Sequence, residues 1–221
     1  MSSNLDLEEQ EQLDELKHFW KQYGSAITWL LIVVMGSYAS WNGYQYWQRQ
    51  QSTKASALFD EVERAVSAGD IAKVERSWND MRERFPGTTF AAQSALLAAK
   101  TLQQTDKLEA AALALKWASE NASDEASSQL ARLRLANLQI QQKALDEALK
   151  TLSKPFTPAF AGLAADVQGD IYASQNKSAE AVKSYTQAWS QLEESNEYRR
   201  LVAAKLNALG ADPALKKGVS Q

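Results

Sequence analysis

The sequence predicts an all-α protein: one transmembrane helix followed by a helical-hairpin solenoid. Three observations carry this reading. No charged residue lies between Lys21 and Arg49. Ala, Leu, Gln, Glu and Lys are abundant, and the 221 residues include only four prolines, a composition that favours helix throughout. Four segments beyond residue 70 can be laid over one another at intervals of 33 to 37 residues, the period of stacked helical hairpins.

The first element, residues 1–22, is acidic and then amphipathic. Residues 1–21 carry two basic and six acidic groups, whereas residues 22–221 carry 22 basic and 21 acidic groups. Leu13, Leu16, Phe19, Trp20 and Tyr23 recur at three- and four-residue steps, so this segment reads as a helix leading into the membrane. Two uses fit it equally: a docking site beside the anchor, or a solvated helix that keeps that end of the span in water. His18, the only histidine, has no second ligand or nucleophile near it in sequence and reads as a surface residue.

The second element, residues 23–47, is the transmembrane helix. Gly24 to Gly43 make twenty residues, and at about 1.5 Å each these give roughly 30 Å of helix, the hydrocarbon thickness of a bilayer. Trp20 and Tyr23 at one end, and Trp41, Tyr44, Tyr46 and Trp47 at the other, suit the headgroup zones. A buried core helix would be shorter and would keep a polar face. Ser37-Tyr38-Ala39 offers a small-x-small cleavage pattern. However, Asp6, Glu8, Glu9, Glu11, Asp14 and Glu15 precede the apolar run, where a secretory signal is short and basic. The span therefore reads as an uncleaved signal-anchor. Lys17 and Lys21 balance Arg49 and Lys54, so charge leaves the orientation open. Gly36, Ser40 and Gly43 share one face, which would let another transmembrane helix approach.

Residues 48–210 form the repeat domain, and residues 211–221 a loose tail. The superimposable segments are residues 72–78, 109–115, 146–152 and 179–185, with Val74, Ala111, Ala148 and Ala181 equivalent. Each follows a polar turn, at 68–70, 104–106, 141–143 and 175–177, with another helical stretch before it. Asp70, Asp106 and Ser178 stand where N-caps of second helices are expected, and Thr157-Pro158 opens a first helix. A last helix, Glu197 to Leu209, ends at Gly210 and Asp212-Pro213; its Tyr198, Leu201, Val202, Leu206 and Leu209 would cover the open end of the solenoid.

The fourth unit resembles the tetratricopeptide repeat. Gly169, Tyr172, Ala181, Tyr185 and Ala188 occupy that family's small and aromatic slots at its spacing. The third unit keeps Ala136, Ala148 and Leu152, and the second Ala99, Leu102, Ala111, Leu115 and Ala118. The first keeps little beyond Phe85-Pro86, and no unit has the family's tryptophan at the start of the first helix. Small side chains let the two helices of a hairpin touch, while aromatics fill the space between hairpins. Trp78, Trp117 and Trp189 read as packing residues of second helices.

Several function classes are excluded. A near-neutral repeat domain gives no electrostatic footprint for nucleic acid. The absence of cysteine removes disulfides, thiolate metal sites and a thiol nucleophile. There is no glycine-rich phosphate loop, no pair of histidines and no Gly-x-Ser-x-Gly turn, so no enzyme activity and no cofactor or metal is expected. A binding surface remains. Tetratricopeptide-like solenoids bind partners on a concave face built from first helices. Transferring those slots gives Lys100, Gln103, Asn137, Ile140, Asp166 and Asp170; ordinary solvated positions are the competing reading.

The whole order is similar to the YfgM family, the ancillary subunit of the SecYEG translocon in Gram-negative bacteria. An acidic amphipathic start leads to a span flanked by Phe19-Trp20 and Tyr46-Trp47. Degenerate hairpins follow, carrying Leu108 to Ala112, Leu133 to Ala136 and Ala148 to Leu152. The resemblance implies an inner-membrane protein with a short cytoplasmic N-terminus and a periplasmic repeat domain. It implies association with SecYEG, with a membrane-anchored periplasmic chaperone of the PpiD type, and with unfolded exported clients. Two other expectations stay open: a tethered scaffold for another envelope assembly, such as cytochrome maturation or outer-membrane machinery, and an anchored subunit of an enzyme whose active site lies on a partner.

Overall fold

A computed structural model describes residues 7–211, with side chains from residue 12 onward. Residues 1–6 of the acidic segment, and the expected tail with Asp212-Pro213, lie outside the described residues. Within them every regular element is an α-helix: α1 (Leu7–Ser67), α2 (Ile71–Arg84), α3 (Thr89–Gln104), α4 (Leu108–Asn121), α5 (Glu125–Gln141), α6 (Leu145–Leu152), α7 (Pro158–Ser174), α8 (Ser178–Gln191) and α9 (Tyr198–Ala208). The chain divides into two compact units, residues 1–51 and 52–221.

In the first unit, the apolar side chains at the centre of the uncharged stretch of α1 are exposed. Trp29 through Met35 are all more than half exposed, Met35 reaching 70%. Such a surface is stable against lipid, not water. Two polar side chains near its ends turn back onto the helix. The Thr28 hydroxyl donates to the Gly24 carbonyl at 2.8 Å, and Asn42 Nδ2 donates to the Tyr38 carbonyl at 3.0 Å. That is how a lone helix satisfies polar groups where water is absent. Among the described residues α1 is the one helix long and apolar enough to cross a membrane.

The second unit is a run of hairpins, each set by the same turn. Gly69, Asp106, Lys143, Asn176 and Gly210 all take a left-handed φ between 59° and 73°. The next amide donates to the carbonyl five residues back: Asp70 to Ala65, Lys107 to Leu102, Ala144 to Gln139, Lys177 to Tyr172 and Ala211 to Leu206, at 2.9–3.0 Å. This is the Schellman closure of a helix. It corrects two caps expected from the sequence. Asp70 does cap α2, its carboxylate accepting from the Lys73 amide at 3.0 Å. Asp106 instead holds the left-handed turn position, and Ser178 is already the first residue of α8, so α4 and α8 start without a side-chain cap.

The core between hairpins is built largely of alanine. Ala65, Val74, Trp78, Ala95, Ala99, Leu102, Ala111, Ala114, Leu115 and Ala118 form its largest cluster, with Leu135 and Leu138 from the next unit. Trp78 meets Trp117 edge-on at 5.1 Å between ring centroids, a packing role for both. In the third hairpin α6 has only 8 residues where the other second helices have 14. Arg132 of α5 fills the gap it leaves. Its guanidinium donates to the carbonyls of Thr151 at 3.3 Å and Pro155 at 3.1 Å, and to that of Lys154, with the Phe156 ring 3.9 Å away. Burial pulls its pKa below the ordinary arginine value. Gln129 does the same for the next helix start, accepting from both the amide and the hydroxyl of Thr157 at 3.0 Å.

The tightest contact lies inside the fourth hairpin. A Cβ added at Gly169 would stand 2.3 Å from the Tyr185 ring, so only glycine lets α7 and α8 meet here. Gly169→Ala is expected to cost about 1–3 kcal/mol by overpacking. Gly87→Ala, where a Cβ meets nothing within 4 Å, is expected to stay within about 0.5 kcal/mol. Urea denaturation followed by the helical circular dichroism signal separates the two. Equal midpoints would show that the contact is not close in solution.

Candidate partner-binding surface

The repeated turn sets a common register for the first helices, the end of α1 followed by α3, α5, α7 and α9. Counting back six residues from each left-handed position gives Glu63, Lys100, Asn137, Asp170 and Ala204; counting back three gives Val66, Gln103, Ile140, Ala173 and Asn207. Counting back ten gives Phe59, Leu96, Leu133, Asp166 and Arg200. The six residues expected from the sequence therefore fall on three rows of one face.

The structure gives them different surroundings. Lys100 and Asn137 are exposed, and Ile140 is half-buried against the third hairpin. Gln103 is exposed, and its Nε2 donates to Gln141 Oε1 at 3.0 Å, bridging α3 to α5. Asp166 and Asp170 are engaged by α9. Lys205 Nζ lies 2.7 Å from Asp166 Oδ2 and 2.7 Å from Asp170 Oδ1. The Tyr198 hydroxyl donates to Asp166 Oδ2 at 2.6 Å, and the Tyr185 hydroxyl to Asp170 Oδ1 at 2.7 Å. Asp166 is fully buried, and its Oδ1 accepts no hydrogen bond. In the first unit Gly36, Ser40 and Gly43 are exposed, and a Cβ at either glycine would meet open space. Among the described residues no group of His, Cys, Asp and Glu side chains is placed to hold a metal ion.

A family model described as a tetratricopeptide repeat-like domain matches residues 17–211. The ancillary SecYEG translocon subunit of Neisseria gonorrhoeae is 35% identical over 204 residues, 92% of this chain and 98% of that protein. The chain belongs to the YfgM family. The proteins of the same name from Haemophilus influenzae and Escherichia coli are 29% and 28% identical, covering 92% and 76% of this chain and 98% and 80% of theirs.

Of the α9 clamp, Lys205 was not singled out in the sequence, and Tyr198 was expected only as a residue covering the open end of the solenoid. A signal existed: Asp166 stands where the two preceding units have Leu96 and Leu133, both core residues. An acid in a core slot requires a partner, and a lysine on the next first helix supplies it. The expected covering role of α9 is carried by Val202 and Leu206, which are fully buried, while Leu201 is 47% exposed.

Both clamp phenols are raised above the ordinary tyrosine value. Burial is the main cause, followed by the hydrogen bond to Asp170 for Tyr185 and to Asp166 for Tyr198, and by the neighbouring negative charge. A raised folded-state pKa gives stability that is complete below the unfolded value of about 10 and is lost as the pH climbs above it. A phenolate absorbance titration should find the phenols of Tyr185 and Tyr198 still protonated well above pH ~10 while the helical signal persists. Tyr198→Phe should remove one of the tyrosines that resist ionisation. A titration curve unchanged by Tyr198→Phe at high pH would contradict the clamp.

Proposed function

We propose that the protein is a single-pass inner-membrane subunit of the Sec export machinery, with its N-terminus in the cytoplasm and its repeat domain in the periplasm. The repeat domain, residues 48–210, binds partner proteins at SecYEG and assists a PpiD-type chaperone in handling clients as they emerge. The observation that carries this reading is the match to proteins named ancillary SecYEG translocon subunits across 92% of the chain, anchor and repeats together. The exposed apolar surface of α1 supports the anchor. The first-helix face with Lys100, Asn137 and Ile140 supports a binding role.

The mechanism is proximity. A tethered binding face is concentrated near the exit of the channel without any need for high intrinsic affinity. Binding is then weak and broad, as suits clients of many sequences.

A tagged full chain, solubilised in mild detergent and purified, should bring SecY and the PpiD-type chaperone with it. Recovery of the intact chain without SecY would overturn the translocon reading. Orientation is tested separately, because the chain has no cysteine. With cysteine placed at Ser3 in one variant and at Ser174 in another, an impermeant maleimide applied to intact spheroplasts should label only the second. Labelling only at Ser3 would put the repeats in the cytoplasm and end the export-chaperone role.

A further inference from the structure

The union of α9 with the α7–α8 hairpin is unlike the other contacts of the repeat domain. Only Val202 and Leu206 of α9 are fully buried. Tyr198 and Leu209 pack beside them, and the Arg199 guanidinium lies 4.1 Å from the Trp189 ring of α8. A polar hold is added to this packing: Lys205 is shared between two carboxylates, and the Tyr198 hydroxyl donates to one of them. One basic group faces two acids, and Asp166 keeps a buried oxygen with no donor. A buried carboxylate in the position that the three preceding units fill with Phe59, Leu96 and Leu133 costs stability unless it is met by a cation, so it selects what may sit against it.

The hairpin keeps this face formed by itself. Asp170 is held by Tyr185, which belongs to α8. Leu192 closes the end of α8 against Gly162, where an added Cβ would lie 2.9 Å from the leucine. From Glu193 to Glu197 the chain is exposed, and the Glu194–Arg199 ion pair at 3.6 Å ties this segment to α9 itself.

We propose that the face of α7 bearing Asp166 and Asp170 is a receptor for an amphipathic helix that sets a basic residue between the two carboxylates, filled in the resting chain by α9 and open to a partner's helix of the same pattern. That pattern is read from α9: an aromatic hydroxyl at 198, apolar residues at 202 and 206, and the cation at 205. An arginine at the last position would also fit, since its several donors can reach the oxygen that lysine leaves unmet. The proposal stands whichever assembly the protein serves.

The test uses the full chain in detergent with a protease site inserted between Glu194 and Ser195, so that cutting leaves α9 held only by its contacts. A fluorescein-labelled peptide of residues 196–211 is added, and its anisotropy is followed. The cut chain should take up the peptide, and the uncut chain should not. A peptide carrying Lys205→Met should compete at least about tenfold less well, since it leaves the buried Asp166 carboxylate, and Asp170 beside it, without a cation. A peptide carrying Lys205→Arg should compete as well as the native one. The uncut variant Lys205→Met, which loosens α9 without a cut, should admit the native peptide. The proposal is overturned if the Met peptide competes equally, since apolar packing alone would then hold the helix. It is also overturned if cut chain and Lys205→Met variant both exclude the peptide, or if copies trade α9 among themselves in dimers and take up no peptide.

Discussion

The turn that ends each first helix is the constraint on which the repeat domain depends. One residue in the left-handed region, followed by an amide that reaches back five residues, reverses the chain in the same way at Gly69, Asp106, Lys143, Asn176 and Gly210. Because each turn leaves its helix at the same phase, residues at a fixed distance before it fall on a common row. Packing, exposure and the face offered to partners follow from that phase. Three of the five positions are not glycine, and each costs about 1 kcal/mol in backbone strain. The strain is tolerated because the reversed chain buries alanine-rich helix faces at once.

This explains how much could be read from the chain. Helix content, the anchor and the period of the hairpins were legible because they are written in residue types: uncharged length, small residues at recurring slots, aromatics beside them. The fourth hairpin was the clearest, since Gly169 and Tyr185 are chemically unusual at a helix contact and mark it directly. The caps at Asp106 and Ser178 misled because a polar residue near a helix start also suits the turn before it. A one-residue shift separates the two roles, and the left-handed closure decides which is taken.

The candidate surface was less legible. Lys100 and Asn137 lie open on the first-helix face, whereas Asp166 and Asp170 are met by α9. Nothing local in α7 announces that. The pairing joins residues 35 and 39 positions apart in sequence, and it becomes visible only when the repeat register shows an acid in a core row. Long-range ion pairs are set by which helices become neighbours, and that is a property of the assembled stack.

The short α6 has a mechanical consequence. A helix of 8 residues closes only about four intrahelical amide bonds, so it resists bending less than its 14-residue counterparts. Arg132 and Gln129 bind the segment after α6 back onto α5, and these side chains carry restraint that elsewhere is spread along nearly two further helical turns. Compliance in the array is thus concentrated at its third hairpin. A load applied across the repeats is felt there first, and the hairpins on either side can tilt against each other while each keeps its own shape.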